Sequence, residues 1–170
     1  SLRDKIFSIT KIEKKQKVIG ISNENLDVIG IGKLGDKGCF EVFFIRKGNM
    51  IGHHNYIMEG ITDETDNKLV SKFIEYYYSD NNNIPKSILC PVDPYNKTFI
   101  TNWLSNKTNK NITIRTPIKG KKRDLITMAN ENAIENLNRI NLKIISKTKS
   151  LEIGLHQLRD ELGLHELPKR

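Results

Sequence analysis

A change of hydrophobic period constrains this chain most. From Leu26 to Met58 apolar residues run in extended stretches broken by turn residues. After Thr62 the same residue types recur at helical spacing. Leu26-Asp27-Val28-Ile29-Gly30-Ile31-Gly32 reads as a strand, Gly35-Asp36-Lys37-Gly38 as a turn and Cys39–Arg46 as a second strand. Lys47-Gly48-Asn49 turns the chain again into a third strand, Met50–Met58. Two hairpins in succession make an antiparallel meander.

The remainder alternates. Thr62-Asp63-Glu64 supplies an N-cap and an acidic first turn for a helix that carries Leu69, Val70, Phe73, Ile74 and Tyr77 on one face. Ser87–Cys90 reads as a short strand, and Phe99, Ile100, Trp103 and Leu104 mark a second helix. Ile112–Arg115 is a fifth strand. A long helical pattern then starts near Lys122, through Leu125, Met128, Ala129, Asn132, Ala133 and Leu137. It runs on toward Gly163, either unbroken or with a break around Ser146–Ser150; the pattern leaves both open. A three-strand meander followed by α-β-α-β-α implies an α/β fold, a mixed sheet covered by helices, in the element order of the ribonuclease H fold. Leu2, Ile6 and Ile9 fall at helical spacing, so residues 1–20 read as the end of a helix and a linker. Residues 21–145 form the α/β domain and 146–170 a helical connector. A start without Met, inside a helical pattern, reads as a piece of a longer protein.

Charge and cysteine usage narrow the partners. The formal net charge is +8, which favours polyanions, nucleic acid first among them. A composition rich in Lys, Asn and Ile spreads lysine everywhere, so local clusters carry more weight than the total. No run reaches the ~18–20 apolar residues of a membrane span. SLRDKIFSITKIEKKQK is charged throughout and lacks the apolar stretch of a signal peptide, so a cytoplasmic chain without membrane contact is expected. Cys39 and Cys90 lie far apart inside apolar runs and read as buried free thiols.

The residues offer little catalytic chemistry. A ribonuclease H active site needs carboxylates converging on two metal ions, the first from the middle of the first strand. Ile29, Gly30, Ile31 and Gly32 stand there instead. Asp27 at the strand's start and Asp93 beyond the fourth strand read as solvated or capping residues. His53 and His54 are neighbours in a strand and point to opposite faces. His156 and His165 lack partners at ligand spacing. No catalytic residue, metal site or cofactor is expected in this segment. Gly30-Ile31-Gly32 enters a hairpin rather than a helix, so close backbone packing or a flexible turn explains it better than phosphate binding. The strongest local feature is Lys119-Gly120-Lys121-Lys122-Arg123 at the start of the last helix. Cations there oppose the helix dipole, by roughly 0.3–1 kcal/mol each. They either grip a phosphate with help from free N–H groups or form a solvated turn. Arg46 and Lys47 are a second candidate. No aromatic platform interleaves with these cations, so base stacking is not indicated. Tyr76-Tyr77-Tyr78 and Trp103 divide between core and helix surface.

Several stretches, in order, resemble one family. Leu2-Arg3-Asp4-Lys5-Ile6, Asp27-Val28-Ile29-Gly30 and Val42–Gly48 are similar to parts of UvrC, the dual-incision subunit of a bacterial excision-repair nuclease. So are Pro117, Gly120, Lys122-Arg123, Leu125, Ala129 and Asn132-Ala133, then Leu162-Gly163-Leu164 and Leu167-Pro168-Lys169-Arg170. The resemblance implies that residues 1–20 close a UVR-type helical hairpin that docks on UvrB. It also implies that one nuclease domain precedes the segment and another follows it. The expected role is a non-catalytic ribonuclease H-like module that sets the geometry between the two nuclease sites and touches damaged DNA. Its partners are DNA, UvrB through the adjacent helices and, as a further expectation, UvrA. Two alternatives stand beside it. One is an active metal-dependent nuclease using Asp27, Asp93 and Glu64 or Asp66. The other is a docking module for UvrB or UvrA without DNA contact.

Overall fold

The computed structural model describes residues 7–11, 16–17 and 23–163, which fall into two units, Ser1–Leu137 and Asn138–Arg170. The first unit is built on one sheet. Strands β1 (Phe7–Lys11) and β2 (Gln16–Lys17) precede the meander β3 (Leu26–Leu34), β4 (Lys37–Arg46) and β5 (Asn49–Glu59). Helix α1 (Asp66–Ser79), β6 (Ser87–Leu89), α2 (Lys97–Thr108), β7 (Thr113–Arg115) and α3 (Lys121–Glu161) follow. The strand order is β1-β5-β4-β3-β6-β7, with β2 also on β5. β3, β4 and β5 pair antiparallel, while β6 runs parallel to β3 and β7 parallel to β6. Meander, parallel crossover and helices together form the ribonuclease H-like arrangement that the element order implies.

Local chemistry explains the hairpins. The β4–β5 loop is Lys47-Gly48 with φ of 51° and 71°. A two-residue loop with both central residues left-handed matches the twist of the flanking strands. Lys47 has no such intrinsic preference. Its N–H donates to Asn25 Oδ1 at 2.8 Å, and the Gly48 N–H donates to the Glu24 carbonyl at 3.0 Å. These bonds hold the loop in place.

The two faces of the sheet bury different materials. On one, Ile29, Phe40, Val42 and Met58 meet Leu69, Val70, Phe73 and Ile74 of α1 and Ile100 and Leu104 of α2. Phe40 and Phe73 stack at 4.2 Å. Burying each such side chain contributes roughly 1.5–3 kcal/mol. Tyr78 is fully buried, Tyr77 and Trp103 are partly buried against this core and Tyr76 is half exposed. On the other face Leu26, Val28, Phe43, Ile45 and Leu89 meet Leu125, Ile126 and Ala129 of α3. Here α3 lies almost against the strand. A Cβ on Gly30 would come within 2.3 Å of the Ala129 carbonyl carbon, and one on Gly32 within 2.7 Å of the Ile134 nitrogen. The Gly30-Ile31-Gly32 pattern is therefore a seat for a helix. Cys39 and Cys90 are buried free thiols, and burial followed by the Glu41 charge pushes the Cys39 thiol up to about 12.

Two expectations need correcting. The helical spacing of Ile6 and Ile9 suggests a helix, yet Phe7–Lys11 is a strand paired with β5, Phe7 opposite Ile57 and Lys11 opposite His53. An eleven-residue β5 would otherwise present a long unpaired backbone edge, and satisfying it outweighs a weak local period. Residues 2 and 6, on which the helical reading also drew, lie outside the described residues, as do His165 and residues 164–170. Helix α1 starts at Asp66 with Thr65 as its N-cap, after a turn in which the Glu64 N–H donates to the Ile61 carbonyl. The question left open at Ser146–Ser150 is also answered: α3 runs through it unbroken. Thr148 Oγ1 donates to the Ile144 carbonyl and Ser150 Oγ to the Ser146 carbonyl, both at 3.0 Å. The polar side chains find acceptors one turn back, so the helix need not open to satisfy them. The second unit, as far as it is described, is this helical segment.

Candidate nucleic-acid interface

Two stretches of cations, 72 or more residues apart in sequence, are brought to one place by Glu24 and Asn25. Lys47 and Gly48 at the β4–β5 tip bond to this pair through their backbone N–H groups. From the first turn of α3, Lys122 Nζ reaches Glu24 Oε2 at 2.7 Å. Lys119 and Lys121 are exposed and Arg123 is half-buried. Gly120, with φ of 77°, accepts from the N–H groups of Arg123 and Asp124 through its carbonyl and so opens the helix. The end of the sheet at the start of β3 thus collects Lys47, Lys119, Lys121, Lys122 and Arg123.

Arg46 has another task. Its Nη1 donates to Asp27 Oδ1 at 2.8 Å, to the Ile45 carbonyl at 2.9 Å and to the Leu26 carbonyl at 3.1 Å. Asp27 was expected at a solvated strand end, but it is 1% exposed, and its Oδ2 accepts from the Tyr78 hydroxyl at 2.7 Å. The correction follows from α1, whose Tyr78 covers the start of β3. Burial raises the Asp27 carboxyl above its ordinary value, against the opposing pull of Arg46 and Tyr78. The partly buried Arg46 and the buried Asp27 therefore form a structural pair, beside the exposed cations.

Every other carboxylate that could serve an active site is also held. Asp93 Oδ1 accepts from Lys97 Nζ at 2.8 Å and from the Thr116 hydroxyl at 2.7 Å, which holds its carboxyl below the ordinary range. Asp66 pairs with Lys33 at 2.5 Å and Glu64 with Lys72 at 2.8 Å. Among the described residues no group of three or more His, Cys, Asp and Glu is placed to hold a metal ion. The middle of β3, where a first carboxylate would stand, is closed by α3 over Gly30 and Gly32.

Sequence reasoning missed a polar contact between α3 and the sheet. Glu41, fully buried in β4, bonds His53 Nδ1 through Oε1 and accepts from Asn136 Nδ2 through Oε2 at 3.1 Å. Asn130 Oδ1 takes the Ile31 N–H at 2.8 Å, beyond the point where β6 stops pairing with β3. A charge inside the apolar run Cys39–Ile45 was the available signal for Glu41. His53 and His54 do face opposite ways: His53 meets Phe43 and Glu41, and His54 meets Phe44 and Tyr56.

Two hollows flank these features. A groove of about 540 Å³ is lined by Glu24, Lys86, Ser87, Lys110, Asn111, Thr113 and Arg115. Sequence inspection did not connect its three cations, because they come from three separate segments. A smaller hollow of about 360 Å³ is lined by His54, Tyr56, Tyr76, Tyr77, Asp80 and Asn81. No cation of the described residues lines it, so aromatic and phosphate-gripping groups are not combined.

Residues 25–140 match the family described as the UvrC Ribonuclease H-like domain. The chain is 35% identical to UvrABC system protein C of Clostridium tetani over 170 residues, which cover all of this chain and 27% of that relative. It is 35% identical over 169 residues to the protein of the same name from Acetivibrio thermocellus, and 32% identical over 169 residues to that of Clostridioides difficile. In each case 99% of this chain is covered, against 27% and 28% of the relative. The chain spans about a quarter of the length of these curated relatives. No helix among the described residues is long and apolar enough to cross a membrane.

Proposed function

The chain belongs to the UvrC family, and we propose that it serves there as a non-catalytic ribonuclease H-like module of the nucleotide excision repair endonuclease. In this reading it lies between the UvrB-binding helices and a second nuclease domain, spaces the two incision sites and touches the backbone of damaged DNA. DNA and UvrB are its expected partners, with UvrA as a further one, in the cytoplasm. No cofactor is assigned to it.

One observation carries the reading: charge is treated in opposite ways at different places on the domain. Each candidate catalytic carboxylate lies within ion-pair distance of a cation of the same chain, at 2.5–2.8 Å. Around Glu24, by contrast, Lys47, Lys119 and Lys121 stand exposed without an ion pair among the described residues. Paired acids do not converge on metal ions, whereas unpaired cations beside a helix N-terminus suit phosphate. The interface proposed is Lys119, Lys121, Arg123 and Lys47, with Lys122 positioned by Glu24 and Arg46 supporting the loop from inside.

Binding to a nicked or bubble duplex at low and moderate salt tests this. Lys119, Lys121 and Arg123 are changed to Glu together, while Lys122 is kept because reversing it would set two carboxylates face to face at Glu24. Steeply salt-dependent binding that the triple change removes is the expected result. Unchanged DNA affinity together with retained UvrB binding would favour a docking module instead.

A further inference from the structure

We propose that the groove across the starts of β6 and β7 is a second phosphate-binding subsite, continuing the track that begins at the first turn of α3. The proposal rests on the DNA-contact reading above and extends it to Lys86, Lys110 and Arg115. Its ligand is the phosphodiester backbone of a nucleic-acid strand.

The groove is assembled by the fold. Thr113 donates to the Lys86 carbonyl through both its N–H, at 2.9 Å, and its hydroxyl, at 3.2 Å. The Cys90 N–H donates to the Arg115 carbonyl at 2.9 Å. Lys110 is fixed at the end of α2, where its N–H donates to the Ser105 carbonyl at 3.2 Å. These bonds set three cations from distant segments around one open groove of about 540 Å³. All three side chains are exposed, and none has an ion pair among the described residues. Gathering like charges is unfavourable unless an anion joins them.

Glu24 is the one acid on the groove wall among the described residues, and Lys122 holds its Oε2 at 2.7 Å. That ion pair neutralises the wall and links the groove to the α3 turn. Neutral donors complete the lining. Asn111 is exposed at the rim, and the buried Ser87 hydroxyl has no hydrogen-bond partner among the described residues. Cations with a few hydroxyl and amide donors are the groups that position a phosphate backbone, and they carry no base preference. An open groove also suits a polymer passing through better than an enclosed small molecule.

The test uses the whole 170-residue chain and a fluorescently labelled duplex, with affinity measured over a range of salt. Lys86, Lys110 and Arg115 are changed to Gln in one variant and to Glu in another, with thermal melting run alongside. At least a tenfold loss of affinity in the Glu variant is expected, with a salt slope shallower by about 0.9 for each phosphate contact removed. Affinity and slope like the parent in a folded variant overturn the groove, and if the α3-turn changes still abolish binding, only the groove fails. No binding by the parent chain at low salt removes both. Amide shifts on titrating the parent chain with the duplex need no variant. Movement at Ser87, Asn111 and Thr113 is expected, and silence there overturns the proposal.

Discussion

The acidic side chains near the ends of the parallel strands and the basic ones around Glu24 follow opposite rules. Asp66 and Asp93 each hold a lysine of the same chain at 2.5 and 2.8 Å. Around Glu24 one acid meets several cations and bonds to a single one of them, Lys122. A nuclease of this fold must leave its acids free to take up metal ions, and a phosphate-binding surface must leave its cations free. In the role proposed above, the domain keeps a fold that can host metal-dependent cleavage and leaves its free charge for phosphate. The difference teaches that spare charge, more than strand order, separates the two uses of one architecture.

The most severe way to break this contrast acts on the helix that carries the cations. Gly30→Val places side-chain atoms where the Ala129 backbone stands, within 2.3 Å of an ideal Cβ. The expected loss is about 3 kcal/mol or more, read by urea unfolding. A stability within 0.5 kcal/mol of the parent (about the scatter of surface changes) would mean that α3 is not seated as described.

Next comes the pair of Arg46 and Asp27. Asp27→Ala strands the Arg46 guanidinium and the Tyr78 hydroxyl, and is expected to cost about 3–5 kcal/mol. The pair also has a pH signature. Burial raises the folded-state carboxyl of Asp27 above its ordinary value of 3.8. Its contribution is therefore fully present below 3.8 and is lost as pH rises through the raised value. The slope of stability against pH above 3.8 should thus be less negative in Asp27→Asn than in the parent. Identical slopes would place that carboxyl in an ordinary environment.

Smaller effects sharpen the contrast. Lys47→Glu is expected to weaken duplex binding and reduce the salt slope by about 0.9, the share of one phosphate contact. An unchanged slope would remove the hairpin tip from the interface. Asp93→Asn should cost only about 0.2–1 kcal/mol, because its pair with Lys97 is largely exposed. The Asp93 carboxyl is held below 3.8 by the Lys97 and Thr116 hydrogen bonds. That contribution is present above 3.8 and lost as pH falls through the lower folded value, opposite in sign to Asp27. A much larger loss would mean that the acidic region is structural and not merely neutralised.

Much of the fold was legible because its signals are local. Glycine and aspartate at the turns, extended apolar stretches in β3 to β5 and the Leu69–Ile74 face of α1 all lie within a few residues of what they determine. The Phe7–Lys11 strand was not, because its pairing depends on β5, more than forty residues on. Asp27 looked like a strand-end residue until Tyr78 and Arg46 closed over it. The Lys119–Arg123 turn was visible as a run of cations. Its meeting with Lys47 at Glu24 was not, and neither was the groove formed by Lys86, Lys110 and Arg115. The first depends on the start of α3 returning to the residues before β3, and the second on the parallel pairing of β6 with β7, and neither leaves a short-range mark in the chain. Gly30-Ile31-Gly32 lies between the two cases: the pattern asked for close packing, and only the fold supplied α3 as the neighbour.

The decisive measurement is a nicking assay on supercoiled and lesion-bearing DNA with the chain and added Mg²⁺ or Mn²⁺, run at a salt concentration where binding is seen. Binding without nicking above a protein-free control is the outcome this account requires. Metal-dependent nicking that disappears on Asp66→Asn or Asp93→Asn would contradict it and make the domain an active nuclease.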